Sequence, residues 1–421
     1  MPLRILVIPD KFKGTLSAGA AALAIATGWR KARRHDSLDL LPMTDGGDGF
    51  GEVISGLLRA KVQRLKTVDA AHRPCFARWW WEPQTKTAIV ESAAIIGLAM
   101  LPPKKFYPFV LDTFGLGAVI RAATAKGAKR CLMGIGGSAT NDGGFGLARS
   151  LGWKFLDRNG NLIEQWTGLD QLAKICAPSP RRCLRQLLVA VDVQNRLLGP
   201  RGATRVYGPQ KGLRSRDFVC AERCLGRLAA VVRKEFGCWA SSGGARLLTS
   251  RLARTLAPPK MQTDSPPEFG RDRARIPGAG AAGGLGFGLL AFLGAQLEPG
   301  FDLFARQAAV ERHLQSADLV IIGEGAIDSS TFMGKGVGQI AARCRKQGIP
   351  CVALAGFVSP GAKKQKLFTQ IHALTQLTAV GQAKAKPAYW LERLATQVAR
   401  SWKTSSPNQP SPWKGTKHHE V

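Results

Sequence analysis

Short runs of apolar residues alternate along most of this chain with stretches of helical period. Leu3 to Ile8, Leu38 to Pro42, Thr87 to Val90, Cys131 to Ile135, Leu188 to Val193, Leu319 to Ile322 and Val352 to Ala355 have the length and apolarity of buried strands. Between them Ala18 to Lys31, Leu116 to Ala125, Val219 to Glu235, Val337 to Arg345 and Tyr389 to Trp402 carry apolar residues at helical spacing. Strands and helices in alternation predict an α/β fold with parallel sheets covered by helices on both faces. At 421 residues the chain exceeds the size at which a single core usually stops growing, so two domains are expected.

The chemistry sits in the punctuation between these elements. Gly134-Ile135-Gly136-Gly137-Ser138-Ala139-Thr140-Asn141-Asp142-Gly143-Gly144 joins a strand ending at Ile135 to a helix expected from Phe145. Small residues there let backbone N–H groups converge on phosphate oxygens, and a helix N-terminus adds partial positive charge at the same place. Thr44 to Gly49 and Gly323 to Asp328 are two more glycine loops, each carrying carboxylates, and the three together suggest a phosphate and metal site. Asp10, Glu91, Asp192 and Glu324 fall at or near the ends of predicted strands. Open α/β sheets bind ligands there, although an acid in such a place also serves to cap a helix or close a turn.

Gly134-x-Gly136-x-x-Ala139 after a strand, with Asp157 at the spacing of a ribose-binding acid, also fits a dinucleotide fingerprint and hence an NAD-dependent dehydrogenase. Against it, Asn141-Asp142-Gly143-Gly144 would break the helix that such a fingerprint needs, which favours a longer phosphate loop. A P-loop string is absent, and Gly278-x-Gly280-x-x-Gly283 follows Pro277 rather than a strand. Lys11 and Lys13 after the first strand, Lys211 between glycines at 208 and 212, and Lys335 could offset phosphate charge.

Composition narrows the classes. With 60 Lys+Arg against 29 Asp+Glu the formal charge is +31, which favours anionic ligands. The basic residues are scattered and no nucleic-acid-binding module is present, so nucleic acid is not the expected partner. Nine cysteines, irregularly spaced and without a Cys-x-x-Cys pair, read as reduced cytosolic thiols. Leu3 to Ile8 is too short for a signal peptide, and the uncharged stretch from Ile276 to Leu297 reads as a glycine-rich turn and a buried helix from about Leu285 to Gly294. Trp79-Trp80-Trp81 cannot form one stacking platform on a strand and are expected in the core. Residues 241–275 read as a surface insertion and 403–421 as a disordered basic tail, in which His418 and His419 lack any rigid support for a metal.

Taken together, Pro9 to Ala18, Asp45 to Gly49, Gly134 to Gly144, Asp192-Val193, Tyr207 to Gly212, Pro277 to Gly286 and Gly323 to Asp328 resemble, in kind and in order, the bacterial glycerate kinase family that lacks a P-loop. The resemblance implies ATP- and Mg2+-dependent phosphorylation of glycerate, usually to 2-phosphoglycerate, by a cytoplasmic enzyme that could form a homodimer. It implies a Rossmann-like parallel-sheet domain from residues 1–70 and 287–402, with a second α/β domain, 71–286, inserted in it and the active site between. By the same resemblance Gly136, Gly137, Ser138, Thr140, Asn141 and Lys211 contact phosphate; Asp192, Asp45 and Lys13 are catalytic, with Asp192 and Asp45 also metal ligands; and Asp10, Lys11, Gly283 and Glu324 bind substrate. The chain departs from the family at Ala326 and Phe106, where arginine is usual, at Tyr107, at Leu111 to Leu116, where only Thr113 remains of a Ser/Thr-rich stretch, and at Lys11 and Arg196. Ala and Phe cannot replace a bidentate arginine. Either basic neighbours such as Lys11 and Arg196 compensate, or the acceptor differs, or activity is diminished.

Overall fold

The computed structural model describes residues 2–179, 184–237, 272–332, 336–362 and 367–402. Most of 241–275, Lys335 and the tail 403–421 therefore lie outside the described residues. In chain order the strands are β1 (Arg4–Pro9), β2 (Ser37–Leu40), β3 (Lys61–Val68), β4 (Pro74–Glu82), β5 (Thr87–Glu91) and β6 (Arg130–Gly134). They continue as β7 (Lys154–Leu156), β8 (Lys174–Cys176), β9 (Gln186–Val191), β10 (Gln296–Pro299), β11 (Leu319–Ile327), β12 (Cys351–Val358) and β13 (Gln370–Ala373).

Two sheets organise the molecule. One has the order β13-β12-β11-β1-β2 and is parallel throughout. The other has the order β10-β9-β6-β5-β4-β3, parallel from β10 to β5 and antiparallel at β4 and β3. That antiparallel edge departs from the all-parallel expectation for a readable reason. β3 lies at the rim and is nowhere fully buried, so Lys61, Arg64 and Lys66 interrupt the apolar run that marks a strand covered on both faces. β7 and β8 form a separate small hairpin.

The helices expected from periodicity are present as Ala18–Ala32, Leu116–Ala125, Phe218–Gly237, Gly336–Gln347 and Pro387–Ser401. Ser17 starts the first of them, its hydroxyl accepting from the Ala20 N–H at 3.2 Å. Ile276 to Leu297 holds no membrane span: Ala282, Gly283 and Gly284 take left-handed φ of 55°, 71° and 86°, and the helical turn from Leu285 runs into a single π turn, Leu289–Leu293, that ends on left-handed Gly294. No helix among the described residues is long and apolar enough to cross a membrane.

The sheets share a core. Leu6 and Ile8 from β1, Val320 and Ile322 from β11, Ile89 from β5, Leu132 from β6 and Leu188 from β9 belong to one cluster, together with Phe50, Ile54, Phe301 and Phe304. Helices Phe50–Leu57 and Gly300–Gln307, which carry those last four residues, pack on the second sheet and belong to the cluster that joins it to the first. Each fully buried Phe or Leu there adds about 1.5–3 kcal/mol of hydrophobic stabilisation. The three tryptophans are buried as expected and split by strand alternation, with Trp80 in this shared cluster and Trp79 and Trp81 in a cluster on the other face.

Candidate active site

A cavity of about 1080 Å³ opens at the carboxyl ends of both sheets. Its wall takes Asp10, Lys11 and Lys13 after β1, Asp45 to Asp48 after β2, and Gly136 to Ser138 after β6. Asp192 follows β9, while Glu324 and Ala326 lie in β11 and Gly356 and Phe357 in β12. All are strand ends of one polarity, which is where side chains are freed from sheet packing and helix N-termini converge.

The phosphate-type loop owes its shape to contacts beneath it. Gly136 comes so near the second glycine loop that a Cβ on it would stand 2.7 Å from the Gly47 Cα, and its N–H donates to the Gly46 carbonyl at 3.3 Å. Gly143 and Gly144 take left-handed φ of 65° and 76°, so the helix begins only at Phe145. This is the break that spoils a dinucleotide fingerprint. Asp157 is equally uninvolved: its carboxylate accepts from the Asn159 and Asn161 N–H groups in an exposed turn and is not part of the cavity wall.

Behind the wall lies a buried polar layer. Asp142 is fully buried and accepts from Thr113 N–H at 2.9 Å, Thr113 Oγ1 at 2.7 Å, Gly146 N–H at 2.9 Å and Gly144 N–H at 3.2 Å. Burial, followed by the charge of Asp112, pushes its carboxyl up to about 6 against these hydrogen bonds. Lys211 lines the cavity yet is almost wholly buried, and its Nζ donates to the Thr140 carbonyl at 2.5 Å. Burial pushes the ammonium down to about 7, with Asp142 opposing. Thr140 and Asn141 are themselves buried behind the surface. Thr140 Oγ1 meets Ser138 Oγ at 2.9 Å, and Asn141 Nδ2 donates to Thr204 Oγ1 at 3.1 Å while its Oδ1 is buried without a partner. Gly283 also stays off the wall. It presses on the loop from behind, where a Cβ would fall 1.9 Å from the Thr140 carbonyl oxygen.

The wall beside this loop is acidic. Asp10 accepts from the Lys11 N–H at 2.7 Å; burial and then the charge of Asp45 push its carboxyl up to about 7. Lys11 Nζ lies 3.5 Å from Asp45 Oδ1 and donates to the Asp48 carbonyl at 3.1 Å. Burial disfavours that ammonium, but Asp45, Asp10 and Asp48 more than offset the loss and raise it. Glu324 is buried and accepts from Thr331 Oγ1 at 2.6 Å. Asp192 reaches the cavity from an exposed position, and after burial its charge is the cause that raises the neighbouring Tyr207 hydroxyl. Lys13 is exposed on the wall.

Glu91 illustrates the blander role of a strand-end acid. Its carboxylate accepts from the Gly49 and Gly51 N–H groups at 3.1 and 2.9 Å, so it caps helix Phe50–Leu57 and anchors the acidic loop; burial raises its carboxyl. Sequence reasoning left Asp142, Asp48 and Tyr207 without roles. Asp142 lies inside the glycine motif, but only the fold brings Thr113 beside it.

The family departures fall unevenly. Ala326 is exposed on the wall, whereas Phe106, Tyr107 and Arg196 are not part of it. Arg73 stacks on the Phe106 ring at 5.3 Å, and the Tyr107 hydroxyl donates to Asp217. All seven described cysteines are free. Among the described residues no group of three or more His, Cys, Asp or Glu side chains could hold a metal by itself.

The sequence pattern of the Glycerate kinase family matches residues 5–403. A glycerate kinase of Halalkalibacterium halodurans is 32% identical over 410 residues, covering 96% of this chain and 99% of that protein. A glycerate kinase of Bacillus subtilis is 33% identical, covering 95% of this chain and 98% of its own length. The glycerate 2-kinase of Escherichia coli is 34% identical over 362 residues, 84% of this chain and 85% of its own. A solved structure from Salmonella typhimurium described as glycerate kinase 2 superposes with a TM-score of 0.75 at 29% identity, covering 95% of this chain and 98% of its own. Relatives matched over nearly their whole length, and a cavity at the carboxyl ends of two α/β sheets, lead to one conclusion: the chain belongs to the glycerate kinase family, phosphotransferases with a hydroxyl acceptor.

Proposed function

We propose that this protein transfers the γ-phosphate of ATP to a hydroxyl of glycerate, giving 2-phosphoglycerate. One observation carries the reading: the glycine loop Gly136 to Ser138 and the acids Asp10, Asp45 and Glu324 stand on walls of the same cavity. Phosphoryl transfer asks for little covalent chemistry from the protein and much positioning, with cations to offset developing charge. The loop amides and Lys211 hold the polyphosphate, Thr140 and Asn141 support the loop from beneath, and Lys13 steadies the transferred charge. Asp10, Glu324 and Lys11 bind the acceptor on the acidic wall, with Gly283 acting through the loop it supports. An Asp10 pushed up to about 7 is only partly ionised near neutrality, which reduces its repulsion of an anionic acceptor.

The wall acids offer only oxygen donors, the set Mg2+ takes when it binds through one or two carboxylates and substrate phosphates. Asp192 would hold it, and bound there it would offset phosphate charge; Asp45, the second metal acid expected from the sequence, is already paired with Lys11. The domain division 1–70 with 287–402 against 71–286, and a cytoplasmic location, belong to the same proposal, although β3 and β10 fall inside the first span and pair in the second sheet. The free state of the described cysteines fits that location.

ADP release coupled to added glycerate, with the product assigned by phosphorus NMR, tests the reading. Asp192→Ala and Lys211→Ala should each lose most of the turnover. Near-normal turnover in both, or release of ADP without a phosphorylated glycerate, overturns it.

A further inference from the structure

The acidic wall already contains a cation. Lys11 binds two of its acids at once, with the main-chain N–H donating to Asp10 Oδ1 at 2.7 Å and Nζ standing 3.5 Å from Asp45 Oδ1. Nζ also donates to the Asp48 carbonyl at 3.1 Å, and the Asp45 oxygen facing it accepts from the Gly47 N–H at 3.0 Å. Both side chains are only about one-fifth exposed, at 22% and 21%, so bulk water screens the pair poorly. The place is closely fitted: a Cβ at Gly47 would come within 3.0 Å of the ammonium and 3.2 Å of the carboxylate oxygen. A carboxylate and a carbonyl oxygen converging on one point are hard-cation ligands, and here an ammonium fills that point.

We propose that Lys11 is the resident counter-ion of this wall, a positioning residue whose ammonium keeps divalent metal off Asp45. A divalent ion at Asp45 would have to displace or approach a positive charge in a screened-off corner, which is electrostatically costly. The inference concerns the wall used in the phosphoryl-transfer reading. Its test uses free metal without nucleotide or glycerate, so it stands or fails separately from that reading.

Binding of Mn2+ to the full-length protein, followed by the loss of the free-ion electron paramagnetic resonance signal, provides the test. Lys11→Met and Lys11→Gln remove the charge by different routes, and each should bind Mn2+ at least tenfold more tightly than the unaltered protein. Lys11→Arg retains a cation and should bind as weakly as the unaltered protein. Adding Asp45→Asn to Lys11→Met should abolish the gain. The proposal is overturned if both neutral variants stay within threefold of the unaltered protein. It is equally overturned if Lys11→Arg gains affinity like Lys11→Met, or if the gain survives Asp45→Asn.

Discussion

Lys211 on the cavity wall and Gly283 behind it both meet the phosphate-type loop at the Thr140 carbonyl. Gly283 has φ of 71° and abuts the Thr140 carbonyl, so Gly283→Ala combines a disfavoured backbone with a Cβ only 1.9 Å from the carbonyl oxygen. Strain of this kind costs of the order of 1–3 kcal/mol at least, and relief requires the loop to shift. The expected outcome is a lowered thermal midpoint together with a several-fold rise in KM for ATP. An unchanged KM would show that the loop does not depend on this contact. Lys211 carries a pH signature. Its pKa is depressed on folding to about 7, so between about pH 7 and 10 the unfolded chain holds a proton that the folded chain lacks. Stability therefore rises with pH across that window, and the cost of burying this ammonium is greatest at or below its lower end. Lys211→Met should be more stable than the unaltered protein at pH 7, with the difference shrinking toward pH 10. Urea titrations at the two pH values decide it, and a difference independent of pH would contradict the assignment.

Among elements, helix Phe50–Leu57 matters most to the site, because the acidic loop ends where it begins. Gly49 at its start is left-handed at φ 89° and carries no side-chain cap of its own, so Glu91 at the end of β5 supplies the acceptor for two of the free N–H groups. Glu91→Ala leaves those groups without a protein acceptor and should cost about 1–3 kcal/mol in denaturant unfolding. If Glu91 were instead a ligand-binding acid, stability would be unchanged and only activity would fall. Sequence periodicity located the long helices and the continuous apolar strands well. It passed over helices Phe50–Leu57 and Gly300–Gln307, each only eight residues long, and the half-exposed rim strand β3, because none of the three gives a sustained period.

For the molecule as a whole, the shared core means that the two sheets stand or fall together. Phe304 is fully buried in the cluster that takes residues from both, with its ring centroid 6.1 Å from that of Phe301. Phe304→Ala should cost about 3–5 kcal/mol through lost burial and a residual cavity. The loss should appear equally in far-ultraviolet circular dichroism and in the fluorescence of Trp29 and Trp79 to Trp81, which report on different sheets. Separated transitions would show that the sheets unfold independently.

By itself the sequence determined the strand and helix alternation, the position of the phosphate-type loop, the exclusion of a membrane span at Ile276 to Leu297 and the family resemblance. These depend on local backbone preference and residue order, which a linear string contains. Only the tertiary structure decided which strand-end acids share a cavity, that Glu91 caps a helix, that Lys11 neutralises Asp45 and that Thr113 and Asp142 meet beneath the loop. Residues 29, 34 or 40 positions apart in the chain meet only when the sheets close on a common core, and charge, burial and hydrogen bonding then assign their roles.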